Sequence, residues 1–554
     1  MNPARSCTSR KHLLVFVLVF SLTLVACLPG AERSPYYGKV VVPRVQEFRW
    51  SDGGLPQTFD PAFAAAPPDT DAVRALFEGL TDYDPHTLSP VPGVATRWES
   101  SSDGRVWTFY LREDAKWSNG ERVTASDFVR SWERTLRIGP LAPHTELLSN
   151  IEGSVGSPTV AKGSAPPRPA FGAEAVNDHI LRVRLHEADN SFPALVAHPV
   201  FRPVKLPLPN RSYSYPLQPH EIVSNGAFQL AHRENDRVLL ERANTYWDGA
   251  SVTLQNVSFV NSSSAEEALA AYRAGEVDAV TNAAFEPLVL KLLSGYQDFR
   301  RSTFGALTYY SFNRNHAPFD DVRVREALAI AIDRERVTRD DLGGAMEPAG
   351  KFLPDEMSGE KPVVSKAEVL EQDVDKARTL LAEAGYANGE RFPVVRLLIN
   401  RNDQQRLVAL AIAAMWRSVL NIETEIVIKN WDDYEAALRS GDYDVIRRGM
   451  VLQTTDELTN LRMLFERESI PALSEPTPMN AKPGEPSKAE KAIEKNPQVM
   501  SEQDALKELH ALPIYFASSF ALVKPYVTGF DGNVLDAPSL KKTRMNTNWV
   551  QRKP

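Results

Sequence analysis

Val106 to Leu136 reads VWTFYLREDAKWSNGERVTASDFVRSWERTL, and its hydrophobic period changes once along the way. Trp107, Phe109 and Leu111 alternate with Thr108, Tyr110 and Arg112, the two-residue period of a half-buried strand. Asn119-Gly120 then supplies residues that tolerate positive φ at a turn. Thr124 is placed to N-cap a helix and Asp127, three residues on, to close a capping box. Phe128, Val129, Trp132 and Leu136 follow at helical spacing, which leaves Arg130, Glu133, Arg134 and Arg137 to face water. The unit is strand, turn and amphipathic helix, and alone it says nothing about function.

Working outward, Glu47-Phe-Arg-Trp50 opens a strand turned by the Gly/Pro-rich Asp52 to Pro61. Val73 to Leu80, VRALFEGL, reads as a short helix ended by Gly79. Asp178 to Leu185 alternates again, and Asn225-Gly226 marks a turn before Phe228-Gln-Leu230. In TYYSFNRNHAPFDDVRVREALAIAIDRER, Thr308 to Arg336, Pro318 halts a strand and Asp320 or Asp321 caps a helix. The buried face of that helix is Val324, Ala327, Leu328, Ala331 and Ile332, with Arg323, Arg325 and Arg334 read as solvated. Lys376 to Tyr386 is a helix closed by Gly385. A strand over 394–400, a helix over 404–420 burying Met415 and Trp416, and a strand over 423–429 give a βαβ rhythm and so a largely parallel sheet. Trp431 and Tyr434 begin the next helix, and Val445-Ile446 starts a strand leading to Arg447-Arg-Gly-Met450. The Gly/Ser/Pro-rich 153–170 reads as a surface excursion, and the proline-rich 474–503 as a loop.

Composition limits the functional classes. With 43% hydrophobic and 24% charged residues among 554, the chain is long enough for more than one core, and its net charge of −8 offers nothing to nucleic acid. The two cysteines, Cys7 and Cys27, both lie in the first thirty residues, so the body holds neither a disulfide, a thiolate metal site nor a cysteine nucleophile. Ten histidines form no HExxH and no pair three to five apart, so no metal site is expected. Gly343 to Lys351 misses the phosphate-loop spacing by one residue and puts Phe352 where Ser or Thr belongs. No cofactor and no catalytic residue are expected.

Arg5, Arg10 and Lys11 precede an apolar run from Leu13 to Ala26, shorter than the roughly 20 residues of a membrane span. Leu24-Val-Ala-Cys27 resembles a bacterial lipobox, which implies a signal peptide over 1–26, acylation of Cys27 and a flexible tether over 27–46.

Five blocks in order resemble the oligopeptide-type solute-binding proteins of bacterial ABC importers. They are LREDAKWSNGERVTASDFVRSWER, the SNGAFQL to YWD stretch over 224–248, TYYSFNRN to DRER, KARTLLAEAGY and VKPYVTGFDGN. The resemblance implies an α/β fold of two lobes joined by a hinge, with a subdomain inserted near the N-terminus. It divides the chain into a first lobe over 47–80, 205–306 and 520–554, an inserted subdomain over 81–204 and a second lobe over 307–519. It implies a monomer held in the cell envelope by a lipid anchor, facing the periplasm or the cell exterior. Its partners would be an oligopeptide and the importer's permease and ATPase. In this family the ligand lies extended between the lobes and pairs its main chain with protein strands. Carried over, the ligand-binding residues are Gly54, Leu55, Pro56 and Gln57 on one side and Arg447, Gly449, Met450, Val451 and Gln453 on the other, with Trp431 as a pocket wall. One departure stands out: the family's tryptophan after the strand glycine is Met450, and the aspartate that receives the ligand's α-ammonium falls on Gln453, unless Asp456 or Glu457 takes its place. The alternatives are the same fold with a non-peptide or N-blocked cargo (an oligosaccharide, a nickel chelate or haem), and a surface hydrolase.

Overall fold

The computed structural model describes residues 35–154, 170–206, 221–354, 369–469 and 501–551. Cys27, with the expected signal segment, and most of the expected excursion and loop lie outside them.

Two long strands, Phe299–Phe312 and Ala511–Val523, organise the molecule. They pair antiparallel from Phe299↔Leu522 to Ser311↔Ala511, with an irregularity between Thr303 and Leu307. At one end Ala511–Val523 joins Ala279–Thr281, then Glu47–Asp52 and Asn256–Val260. At the other, Phe299–Phe312 joins Val445–Val451, which runs parallel to Val395–Asn400, itself parallel to Thr424–Lys429. One eleven-stranded sheet thus serves both lobes. Their main cores are separate: Phe48, Trp50, Leu76 and Phe259 in the first, Val324, Leu328, Ile412 and Trp416 in the second. A third cluster bridges them, packing Leu88 and Val534 with Leu307, Met450 and Leu452. At the crossover a Cβ on Gly305 would lie 2.7 Å from Leu452 Cδ1, so only glycine lets the strands approach there.

The inserted segment forms its own four-stranded antiparallel sheet, Ala95–Ser100, Val106–Leu111, Ile180–Arg184 and Ala173–Asn177. Trp107, Phe109 and Leu111 are buried as the alternation requires. The helix Ala125–Ile138 starts at Thr124, whose backbone N–H donates to Asp127 at 2.9 Å.

Five expectations need correction. The helix of VRALFEGL spans Asp69–Leu76 and stops at an extended Phe77, because Glu78 is held instead by reciprocal bonds with Asn225: Glu78 N–H to Asn225 Oδ1 at 3.1 Å and Asn225 Nδ2 to Glu78 O at 3.0 Å. Arg134 does not face water; it is buried and pairs with Asp60. Arg325 and Arg334 are buried as well. Arg325 donates to the carbonyls of Phe319, Asp320, Glu508 and Leu509, and Arg334 to those of Pro513, Ile332 and Leu370. The described end of the tether is docked, not free: Tyr37 N–H donates to Asp298 at 2.9 Å and Lys39 N–H to Arg273 O at 3.0 Å. The last residues of the expected loop, Glu502 and Gln503, open the helix Glu502–Glu508. Glu502 is buried there and accepts the N–H groups of Phe352 and Leu353.

Candidate functional site

The first wall is built on a turn. Gly53 has φ +67° and Gly54 φ +143°, and a Cβ on Gly53 would come within 2.8 Å of Asn282 O, so glycine is needed at this bend. Behind it Asp52 is fully buried, accepting from Thr281 Oγ1 at 2.7 Å and Asn282 Nδ2 at 2.6 Å. Burial pushes its carboxyl up to about 6, and the neighbouring Asp71 carboxyl is also raised, by burial and by Asp52. Leu55 packs on the first core, Pro56 is buried, and the exposed Gln57 donates its N–H to Asp69 at 2.6 Å.

The second wall is the strand Val445–Val451, and its hydrogen-bond parity decides what it can do. Leu452 N–H donates to Gly305 O at 2.8 Å, so even-numbered residues address the long strand. Odd-numbered residues therefore point to the opposite edge. There Tyr434 hydroxyl donates to Arg447 O, and Gln453 Nε2 donates to Val451 O at 3.2 Å. Val395–Asn400 covers that edge only at Val445 and Ile446. From Arg447 to Val451 no strand pairs with it among the described residues.

The other expected positions divide accordingly. Gly449 is exposed and on the uncovered edge, and so is Val451. Met450 is not: its side chain is buried among Leu307, Leu452 and Leu461, and its main chain faces the long strand. Arg447 lays its guanidinium back toward Thr308 Oγ1 at 3.3 Å. Trp431 is 60% exposed and stacks on Tyr434, ring centres 5.6 Å apart at 19°, so Tyr434 joins the tryptophan to the strand edge. Among the described residues no hydrogen bond joins Gly54–Gln57 to this strand; each wall is tied into its own lobe.

Among the described residues, two side-chain bonds reach from the inserted segment to the second lobe. Arg462 Nη2 meets Glu187 at 2.5 Å, and His198 Nε2 lies 3.1 Å from Gln453 Oε1. His198 is buried, and burial first, then the charges of His144 and Arg74, hold its pKa well below the ordinary histidine range. Sequence reading missed His198, since a lone histidine 255 residues from its partner carries no local signal. Asp456 accepts Thr459 N–H at 2.7 Å and so caps its own helix, while Glu457 accepts the N–H of Glu502 at 3.4 Å. No group of three metal-ligating side chains occurs among the described residues.

A model of the bacterial extracellular solute-binding proteins, family 5, matches residues 89–470. The chain belongs to that family. It is 31% identical over 492 residues to the periplasmic oligopeptide-binding protein OppA of Escherichia coli K12, covering 87% of this chain and 89% of OppA. Among solved structures, the unliganded open form of the periplasmic murein tripeptide-binding protein MppA superposes with a TM-score of 0.72 at 28% identity, over 91% of this chain and 98% of MppA. Haemophilus influenzae OppA in complex with RPPGFSPFR gives 0.61 at 27% identity, over 91% of this chain and all of that one. The two-lobed fold of the family is therefore this chain's fold.

Proposed function

We propose that this family 5 protein captures oligopeptides between its lobes and delivers them to an ABC importer, without turning them over. The observation that carries the reading is the uncovered strand edge from Arg447 to Val451. An extended peptide satisfies such an edge by adding itself as a strand, so affinity comes from main-chain hydrogen bonds and depends little on side-chain identity. The Trp431–Tyr434 stack offers a flat apolar surface beside that edge. The better superposition on an open, unliganded relative than on a peptide-bound one, at nearly equal identity, supports an open arrangement that closes on ligand. The hinge of this closure lies where the two long strands cross between lobes, around Gly305 and Ser518, with the second lobe taken as 307–519. The mature protein is a monomer tethered through acylated Cys27, and loss of acyl labelling in Cys27→Ser tests that anchor.

The binding test uses purified mature protein and a library of short peptides. Varied sequences should be retained, and N-methylation at alternate main-chain nitrogens should weaken a retained peptide about tenfold or more, about 1.4 kcal/mol. Retention of only a sugar, a metal chelate or nothing overturns the reading.

A further inference from the structure

A chain of hydrogen bonds ending at Gln453 has a direction that the protein cannot reverse. It begins at Val200, whose backbone N–H can only donate and does so to His198 Nδ1 at 3.2 Å. Nδ1 therefore presents its lone pair, and the neutral ring carries its proton on Nε2. That proton donates to Gln453 Oε1, 3.1 Å away. With its oxygen turned toward His198, the Gln453 amide points its nitrogen the other way, toward the strand edge. One N–H donates to Val451 O at 3.2 Å, and the second is left at the end of the uncovered edge. The last carbonyl of that edge is thereby occupied, and what Gln453 offers to a ligand is a donor.

The surroundings hold this polarity. Burial together with the charges of His144, Arg74 and Arg202 keeps His198 neutral. His144 is fixed in turn, its Nε2 3.0 Å from Ala65 O and its ring 4.9 Å from that of His198. On the second lobe, one oxygen of Asp456 accepts Thr459 N–H and one of Glu457 accepts the N–H of Glu502.

An α-ammonium has three donors and no acceptor, so a donor meets a donor where the resemblance places the ligand's N-terminus. A buried polar group facing its own kind loses its water without gaining a partner. We propose that this end of the cleft is a specificity site for peptides whose N-terminal nitrogen is acylated, with the acyl carbonyl accepting the free N–H of Gln453. The proposal rests on the peptide reading above and narrows its substrate class.

Calorimetry on the mature protein compares library peptides in free and N-acetylated form. The acetylated form should bind about tenfold tighter or more. Gln453→Glu supplies acceptors beside His198 and should reverse the preference. His198→Phe removes the fixed donor, frees the amide to rotate, and should shrink the preference below about threefold. Equal or tighter binding of the free amine by the unaltered protein overturns the proposal while leaving the peptide reading intact. If Asp456→Asn then abolishes that preference, Asp456 is the carboxylate that receives the ammonium. Failure of all proteins to bind either form overturns the peptide reading itself.

Discussion

Glu78 and Gln453 show two ways of wiring a polar side chain into this protein. Glu78 is 2% exposed, and its carboxylate accepts from Tyr246 hydroxyl and from Trp247 Nε1 at 2.6 Å, with Lys541 Nζ 3.4 Å away. Its backbone is paired with Asn225. FEGL thus meets SNG and YWD, the two ends of a block that carries the family resemblance, at one buried point within the first lobe. Gln453 instead stands half-buried at the cleft, reaches across to another part of the molecule, and occupies a position where the chain departs from the family. The residues that make the family legible are largely those that hold the scaffold, whereas those facing a ligand are free to differ.

The comparison breaks if the two sites respond alike to truncation. Glu78→Ala strands the Tyr246 hydroxyl and the Trp247 N–H in the interior and leaves Lys541 only Asp82. A loss of about 3 kcal/mol or more is expected in urea unfolding, because the partners of a buried charge remain behind unsatisfied. Gln453→Ala should cost about 0.5 kcal/mol or less and alter ligand discrimination instead. Equal destabilisation by the two would show that Gln453 is scaffold too.

A second prediction concerns the opposite wall. Asp52 has an ordinary carboxyl value of 3.8 and is pushed up to about 6 in the fold, chiefly by burial, with Asp536 adding to it. The folded state keeps a proton between about pH 4 and 6 that the unfolded chain has released. Stability is therefore highest below that window, falls as pH rises through it, and stays reduced above it, by on the order of 2–3 kcal/mol. Asp52→Asn keeps an oxygen for Thr281 and Asn282 and gives Asp71 a permanent donor. Its unfolding free energy should be flatter between pH 4 and 6 and higher at pH 7 than that of the unaltered protein; an unchanged slope would refute the assignment.

Local pattern told much of the fold and little of its wiring. The strand, turn and capped helix of 106–136 follow from period and capping residues, and so do the Asp321 cap and the βαβ unit ending at Lys429. Arg134, Arg325 and Arg334 were legible only as polar positions on helices. Their burial depends on Asp60, 74 residues away, and on carbonyls up to 184 residues distant. Periodicity reports which face of a helix meets its own core but not whether a distant segment covers the other. At the site, the Gln453 departure was visible by block alignment, while His198, which gives that glutamine its direction, was not. Met450 stands beside Gly449 in the sequence, but its side chain packs inward with Leu307, Leu452 and Leu461, a contact that spacing alone does not reveal.

The aromatic shelf separates holding from binding most cleanly. Tyr434 is 4% exposed and its hydroxyl donates to Arg447 O, so Tyr434→Phe loses one net hydrogen bond, about 1 kcal/mol. The same change releases a carbonyl on the uncovered edge, which should leave peptide affinity within about threefold of its original value or slightly improve it. Trp431, at 60% exposed, has little interior packing to lose, and Trp431→Ala should move the unfolding midpoint by no more than about 0.5 kcal/mol equivalent. If its indole lines the ligand, affinity should nevertheless fall about tenfold, since an aromatic face that is bare in the open protein gains its burial only when a peptide covers it. Unchanged affinity with unchanged stability would remove Trp431 from the site and leave the strand edge alone to account for binding.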